Sequence, residues 1–199
     1  MKSSARSASD PARWWLFALL LCLLTCSCEA PGTFYTVAID PNLSAQDQQA
    51  IRQSIVDWRL FMDGKLTIYE HPGPCVGAGY EACFWASDLA HTDTLIGIHD
   101  PLAVTTLYTQ DQHADVYVAV DEDGAWSTAT ATQTMTHELG HAMALQHTQP
   151  ETVMCWTESC ANPGLTCDDA AQWLYIRGRS DTDTLPQCPA GGTFAWSGK

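Results

Sequence analysis

The sequence predicts a single mixed α/β (α+β) domain built on a mixed sheet with two main helices and a shorter C-terminal helix. Three observations point there. A β-branched and aromatic run, Thr33 to Ile39 (TFYTVAI), precedes apolar residues at helical spacing, Ile51, Ile55, Trp58 and Met62. Further strand-like segments follow before a second helical stretch that carries His137 and His141. Finally, 199 residues at 46% hydrophobic and 16% charged suit one folded domain of ordinary size and exclude a disordered chain.

The elements follow in order. Ser44 has the character of a helix N-cap, with Asp47 three residues on, and Asp63-Gly64 marks the end of that helix. Lys65 to Glu70 (KLTIYE) alternates as a strand does, and His71 to Gly79 is a Pro/Gly-rich loop closed by a cysteine pair. Thr94 to His99 (TLIGIH) and Asp115 to Val120 (DVYVAV) read as strands, with Val104 to Tyr108 as a short edge strand between them. A turn at Asp121-Glu122-Asp123-Gly124 leads into the helix of His137 and His141, and a last helix is expected over Asp168 to Arg177 (DDAAQWLYIR). The order is β-α-β-β-(β)-β-α, then irregular chain, then a terminal helix.

Residues 1–28 read as an export leader. Lys2, Arg6 and Arg13 precede an unbroken apolar run from Trp14 to Leu24, too short to span a bilayer and suited to a signal-peptide core. Two endings compete: cleavage after Ala30, or lipidation of Cys26 or Cys28 in a lipoprotein-type box. Residues 29–199 then form the functional domain, exported as a secreted or cell-envelope protein that meets a membrane only through such a lipid anchor. Six of the 9 cysteines lie beyond the leader: Cys75, Cys83, Cys155, Cys160, Cys167 and Cys188. An even number in an exported chain implies disulfides. Sequence proximity favours Cys75–Cys83 and Cys155–Cys160, leaving Cys167–Cys188. A zinc-thiolate cluster is the rival, weakened because no pair has the short spacing of structural zinc sites. The net charge of −14 disfavours nucleic acid and anionic membranes as partners. A monomer is expected.

The chemistry is concentrated in His137 to His147, HELGHAMALQH. Residues four apart share a helix face, so His137 and His141 can aim two imidazoles at one ion, with Glu138 beside them. Two neutral nitrogens and an adjacent carboxylate suit a catalytic zinc with one open position for water, Glu138 being the general base. With 7 histidines and as many glutamates, chance would place an HExxH in only about one per cent of such chains. His147 stands ten residues past His137. A continued helix would swing it about 80° away and ~15 Å along the axis, so it can join the same ion only if the helix ends and the chain turns sharply.

This pattern resembles the elongated signature of the metzincin zinc peptidases, HExxHxxGxxH. Ala144 occupies the position where the signature has its turning glycine. Glu151 or Glu158 is the alternative third ligand, as in enzymes that use two histidines and a glutamate. Val153-Met154 lies seven residues past His147, where metzincins place a methionine turn under the zinc. Within the group the chain looks most like the matrixin branch. Thr136 to Ala142 matches the active-site helix of that branch, Thr152-Val153-Met154 its methionine turn, and Leu165 to Tyr175, with paired Asp168 and Asp169, its closing helix. The resemblance implies His137, His141 and His147 as ligands of one catalytic zinc, Glu138 as base, and Met154 as a structural floor. It implies hydrolysis of a polypeptide substrate bound extended along an edge strand. Trp156, where astacin-like enzymes keep a tyrosine ligand, would wall the substrate pocket. No stretch resembling a zinc-blocking propeptide precedes Thr33.

Four histidines, His71, His91, His99 and His113, share no spacing and are read as ordinary surface or core residues. Asp121 to Gly124 has carboxylates and a glycine turn that could suit calcium, but it lacks the longer ligand pattern and reads as a solvated turn.

Overall fold

The computed structural model describes residues 33–76, 80–88, 103–108, 113–119, 127–148, 152–155, 164–178, 185 and 188. The elements are β1 (Thr33–Ile39), α1 (Ala45–Phe61), β2 (Leu66–Glu70), β3 (Ala82–Ser87), β4 (Ala103–Tyr108), β5 (His113–Ala119), α2 (Thr128–Ala142) and α3 (Cys167–Ile176). The five strands form one sheet in the order β2-β1-β3-β5-β4. β1 pairs in parallel with β2 and β3, and β3 with β5; among the described strands β4 alone runs antiparallel, along β5, and lies at one edge with β2 at the other. Among the described residues, no helix is long and apolar enough to cross a membrane.

The β1-α1-β2 unit follows the sequence closely. Ser44 caps α1, its hydroxyl accepting the Asp47 N–H, and positive φ at Asp63 (42°) and Gly64 (78°) reverses the chain into β2. Ile51, Ile55, Trp58 and Met62 are all buried against the sheet, as their spacing requires. Alternation does the same for the strands: Tyr35, Val37 and Ile39 of β1, and Ala114, Val116 and Val118 of β5, enter the main core with α1 and α2.

The two main helices meet along a polar seam. Trp58 Nε1 donates to the Thr136 carbonyl at 3.1 Å, and Thr136 Oγ1 donates to Ser54 Oγ at 3.1 Å. Because Thr136 immediately precedes His137, this seam fixes the part of α2 that carries the histidines.

Three sequence expectations change. The strand at Ala82–Ser87 was not anticipated, because it is buried on both faces and shows no polar alternation. Ala82 and Phe84 join the main core, while Cys83 joins a second cluster with Ala38 and Cys75 on the opposite face. The expected β5 span shifts, beginning at His113 and ending at Ala119. The edge strand expected at Val104 to Tyr108 is present as β4, and the terminal helix lies one residue earlier than anticipated. The strand expected over Thr94 to His99, the turn at Asp121 to Gly124, and the leader of residues 1–28 fall outside the described residues.

Disulfides join Cys75 to Cys83 and Cys167 to Cys188, with Cα atoms 5.6 and 5.5 Å apart. The first ties the loop after β2 onto β3, and the second anchors the start of α3. Cys155 is also disulfide-bonded, and Cys160 lies outside the described residues.

Candidate metal centre

The centre sits at the C-terminal end of α2. Ser127 caps the start of that helix, accepting the Thr130 N–H, and the helix runs to Ala142 with Met143 as C-cap. His137 and His141, one turn apart on the same face and both half-buried, have ring centroids 4.6 Å apart.

The chain then turns as the third histidine demands. Ala144 adopts φ 74°, its N–H donating to the His141 carbonyl at 2.8 Å while the Leu145 N–H donates to the Gly140 carbonyl at 3.0 Å. This pair of bonds is a Schellman turn with alanine in the left-handed position usually held by glycine, a choice that costs about 1–2 kcal/mol. The turn returns His147 to the histidine pair, with its ring centroid 4.6 Å from His141 and 5.3 Å from His137.

One ligand nitrogen from each of the three histidines lies within 4.8 Å of the others, and His141 Nε2 and His147 Nε2 are 3.0 Å apart. A tetrahedral zinc with nitrogen bonds of about 2.0–2.1 Å places its ligand nitrogens roughly 3.4 Å apart, so the donor set fits that ion. The outer shell agrees. His137 Nδ1 meets the Val153 carbonyl at 2.7 Å and His141 Nδ1 the Leu145 carbonyl at 2.8 Å. A carbonyl can only accept, so each ring donates through Nδ1, which leaves Nε2 as the atom each would offer to a metal. Burial, aided by the neighbouring His137, pushes the His141 pKa down to about 4 and lowers that of His147. Both rings are therefore neutral at pH 7, the form that binds metal.

Glu138 is buried beside His137. Thr105, on the edge strand β4, donates its hydroxyl to Glu138 Oε2. Burial raises the Glu138 pKa, while His137 and the hydrogen bonds from Thr105 pull it back. The carboxyl is thus tuned upward yet held in one orientation under the sheet edge.

Beneath the histidines, Met154 is fully buried, and its thioether packs against Gly140. Val153 and Met154 form a turn that Asp169 holds from α3. The Asp169 carboxylate accepts the Val153 N–H at 3.2 Å and also the Thr166 N–H and hydroxyl, completing a capping box. Asp169 therefore does more than favour the helix dipole, the role its position in the sequence suggested. Burial raises its pKa, against the hydrogen bonds of Thr166, Val153 and Met154.

The structure brings together His137, Glu138, His141, His147 and Met154. Trp156, Glu151 and Glu158 lie outside the described residues. His71 and His113 stand apart from the triad, beside Tyr80 and Tyr108. Sequence reasoning missed Thr105, Gln172 and Tyr35. Tyr35 donates its hydroxyl to the Ala142 carbonyl at 2.6 Å, satisfying one of the open acceptors at the end of α2. Nothing in the local sequence marks these three, since each acts across a distance of tens of residues or from a separate element.

No protein-family model matches the chain, and no curated protein matches it. Among solved structures it is similar to an archaemetzincin from Methanopyrus kandleri, with a TM-score of 0.51, 11% identity, and coverage of 76% of this chain and 98% of that one. At that identity the likeness speaks for the fold alone. The expected nearness to the matrixin branch finds no support in it. The five-stranded mixed sheet with its helices shares its fold with that archaemetzincin.

Proposed function

We propose that the protein is a zinc-dependent endopeptidase, with His137, His141 and His147 as metal ligands and Glu138 as general base. The observation that carries the proposal is the convergence of three imidazoles with a buried carboxylate alongside them. A metal store would need the histidines but not the adjacent carboxylate.

Zinc held by these nitrogens would supply Lewis acidity, polarising a substrate carbonyl and acidifying water. The residues do the rest. Glu138, its pKa raised by burial, accepts a proton from water and returns it to the departing amine. Thr105 fixes the carboxylate through its hydroxyl, so the base does not rotate away between these steps. Among the described residues β4 pairs on one side only, and an extended polypeptide laid along its other side would bring a peptide bond over the histidines.

Export belongs to the same proposal. It is supported by the Cys75–Cys83 and Cys167–Cys188 disulfides, which persist in oxidising surroundings, and by the leader-like first residues.

The test is cleavage of unfolded casein by the wild-type protein and by Glu138→Gln, each assayed for bound zinc. One zinc in both, with cleavage by the wild type alone and abolished by a chelator, is the predicted result. Zinc in both with equal cleavage would remove Glu138 from its role, and zinc in both with no cleavage of any polypeptide offered would favour a binding module.

A further inference from the structure

Four consecutive residues after the Ala144 turn lead to and past the third histidine, and Leu145, Gln146 and Thr148 on either side of it are tethered through their backbone groups from outside the segment. The Leu145 carbonyl accepts from His141, and the Thr148 N–H donates to the Met154 carbonyl at 3.0 Å. Between them, both backbone groups of Gln146 go to one side chain. The Gln146 N–H donates to Gln172 Oε1 at 2.8 Å, and Gln172 Nε2 donates to the Gln146 carbonyl at 3.3 Å. The Gln146 side chain itself is exposed, whereas Gln172 is 8% exposed.

A carboxamide presents one donor and one acceptor side by side, so it can pair with a peptide as a neighbouring strand would. Gln172 is well placed for this. It lies on α3, whose first turn is capped by Thr166 and Asp169 and joined to Cys188 by a disulfide. The segment it grips follows a left-handed alanine, a conformation that relaxes unless the flanking structure holds it.

We propose that Gln172 is a positioning residue for the third metal ligand: its carboxamide clamps the Gln146 peptide so that His147 meets the ion of His137 and His141. The inference rests on the zinc reading above and goes beyond it, because Gln172 touches neither the ion nor a substrate. Outer-shell partners of this kind typically change metal affinity about 10–100-fold when removed.

The test is a double-mutant cycle on zinc affinity in the full chain, read by competition with a chromophoric chelator. Gln172→Met keeps the side-chain length and removes both hydrogen bonds. It is expected to weaken zinc binding about 10–100-fold in the wild-type background, but by less than about threefold where His147 is already alanine. The cobalt-loaded Gln172→Met protein should lose part of its intense tetrahedral visible absorption. Ala144→Gly, which relaxes the turn, should restore part of the lost affinity. Thermal unfolding of the metal-free variants separates these effects from misfolding. Should Gln172→Met misfold, Gln172→Glu keeps the acceptor for the Gln146 N–H and is put through the same cycle. An equal loss of affinity with and without His147 would assign Gln172 to general packing and overturn the proposal, as would no loss at all. A wild-type protein that binds no zinc would remove the metal reading itself, and this inference with it.

Discussion

The Cα of Gly140 lies directly against the thioether of Met154: a Cβ there would collide with Sδ and stand 3.2 Å from Cε. Gly140 sits on α2 between the two helical histidines, and Met154 follows the residue whose carbonyl orients His137. The missing side chain lets the turn seat under the helix. Alanine at an ordinary helix position would gain about 1 kcal/mol over glycine, whereas overpacking a closed core costs about 1–3 kcal/mol. Gly140→Ala should therefore lower stability by about 1 kcal/mol net in urea unfolding. In a Met154→Ala background the same change should become neutral or stabilising; a loss there too would show that the contact is not the cause.

Ala144→Gly should act in the opposite sense. Relief of the left-handed strain is worth about 1–2 kcal/mol, offset by about 0.4–1 kcal/mol for the greater freedom of glycine in the unfolded chain. The expected result is a gain of about 0.5–1 kcal/mol with unchanged zinc stoichiometry. Ala144→Val, branched at a positive φ, should destabilise instead. Denaturant midpoints of the three proteins decide it.

Acid should weaken the metal-free protein through His141. Burial depresses its folded pKa to about 4, below the ordinary value of 6.5, so the unfolded chain binds a proton that the folded one refuses. Stability is then complete above about pH 6.5 and falls as pH drops toward 4, with a slope of up to ~1.4 kcal/mol per pH unit for this group. Unfolding midpoints in chelator between pH 7.5 and 4.5 check this. His141→Gln should flatten that window, and an unchanged slope would place the effect on other groups.

Thr105→Val removes the hydroxyl that stabilises the charged form of Glu138 while keeping the side-chain shape. The Glu138 pKa should rise further, moving the acidic limb of kcat/KM to higher pH and lowering activity at neutral pH, with little change in zinc content. A profile that stays in place would separate Thr105 from the base.

The parts of the site that were readable in the sequence are those carried by one local period. His137, Glu138 and His141 are fixed by the helical repeat, and the sharp turn before His147 follows from simple geometry, even though Ala144 conceals it. The α1 core positions were readable for the same reason. β3 was hidden because both of its faces are buried, Phe84 toward the helices and Cys83 toward the opposite side, so alternation gave no sign of it. The clamps were hidden for a different reason. Thr105 meets Glu138, Tyr35 meets Ala142, and Gln172 meets Gln146 only once the sheet and α3 have packed, and a lone threonine, tyrosine or glutamine carries no pattern that announces such a contact. Asp169 reads in the sequence as a helix-end charge; its bond to Val153 depends on the tertiary approach of the methionine turn.

The central claim is that three histidines bind one zinc, and X-ray absorption at the zinc edge of the loaded protein tests it most directly. The account predicts one zinc per chain with three imidazole nitrogens at about 2.0–2.1 Å and oxygen completing the shell, falling to two imidazoles in His147→Ala. A wild-type spectrum with sulfur ligands, a shell of oxygens alone, or two imidazoles that persist unchanged in His147→Ala would contradict it.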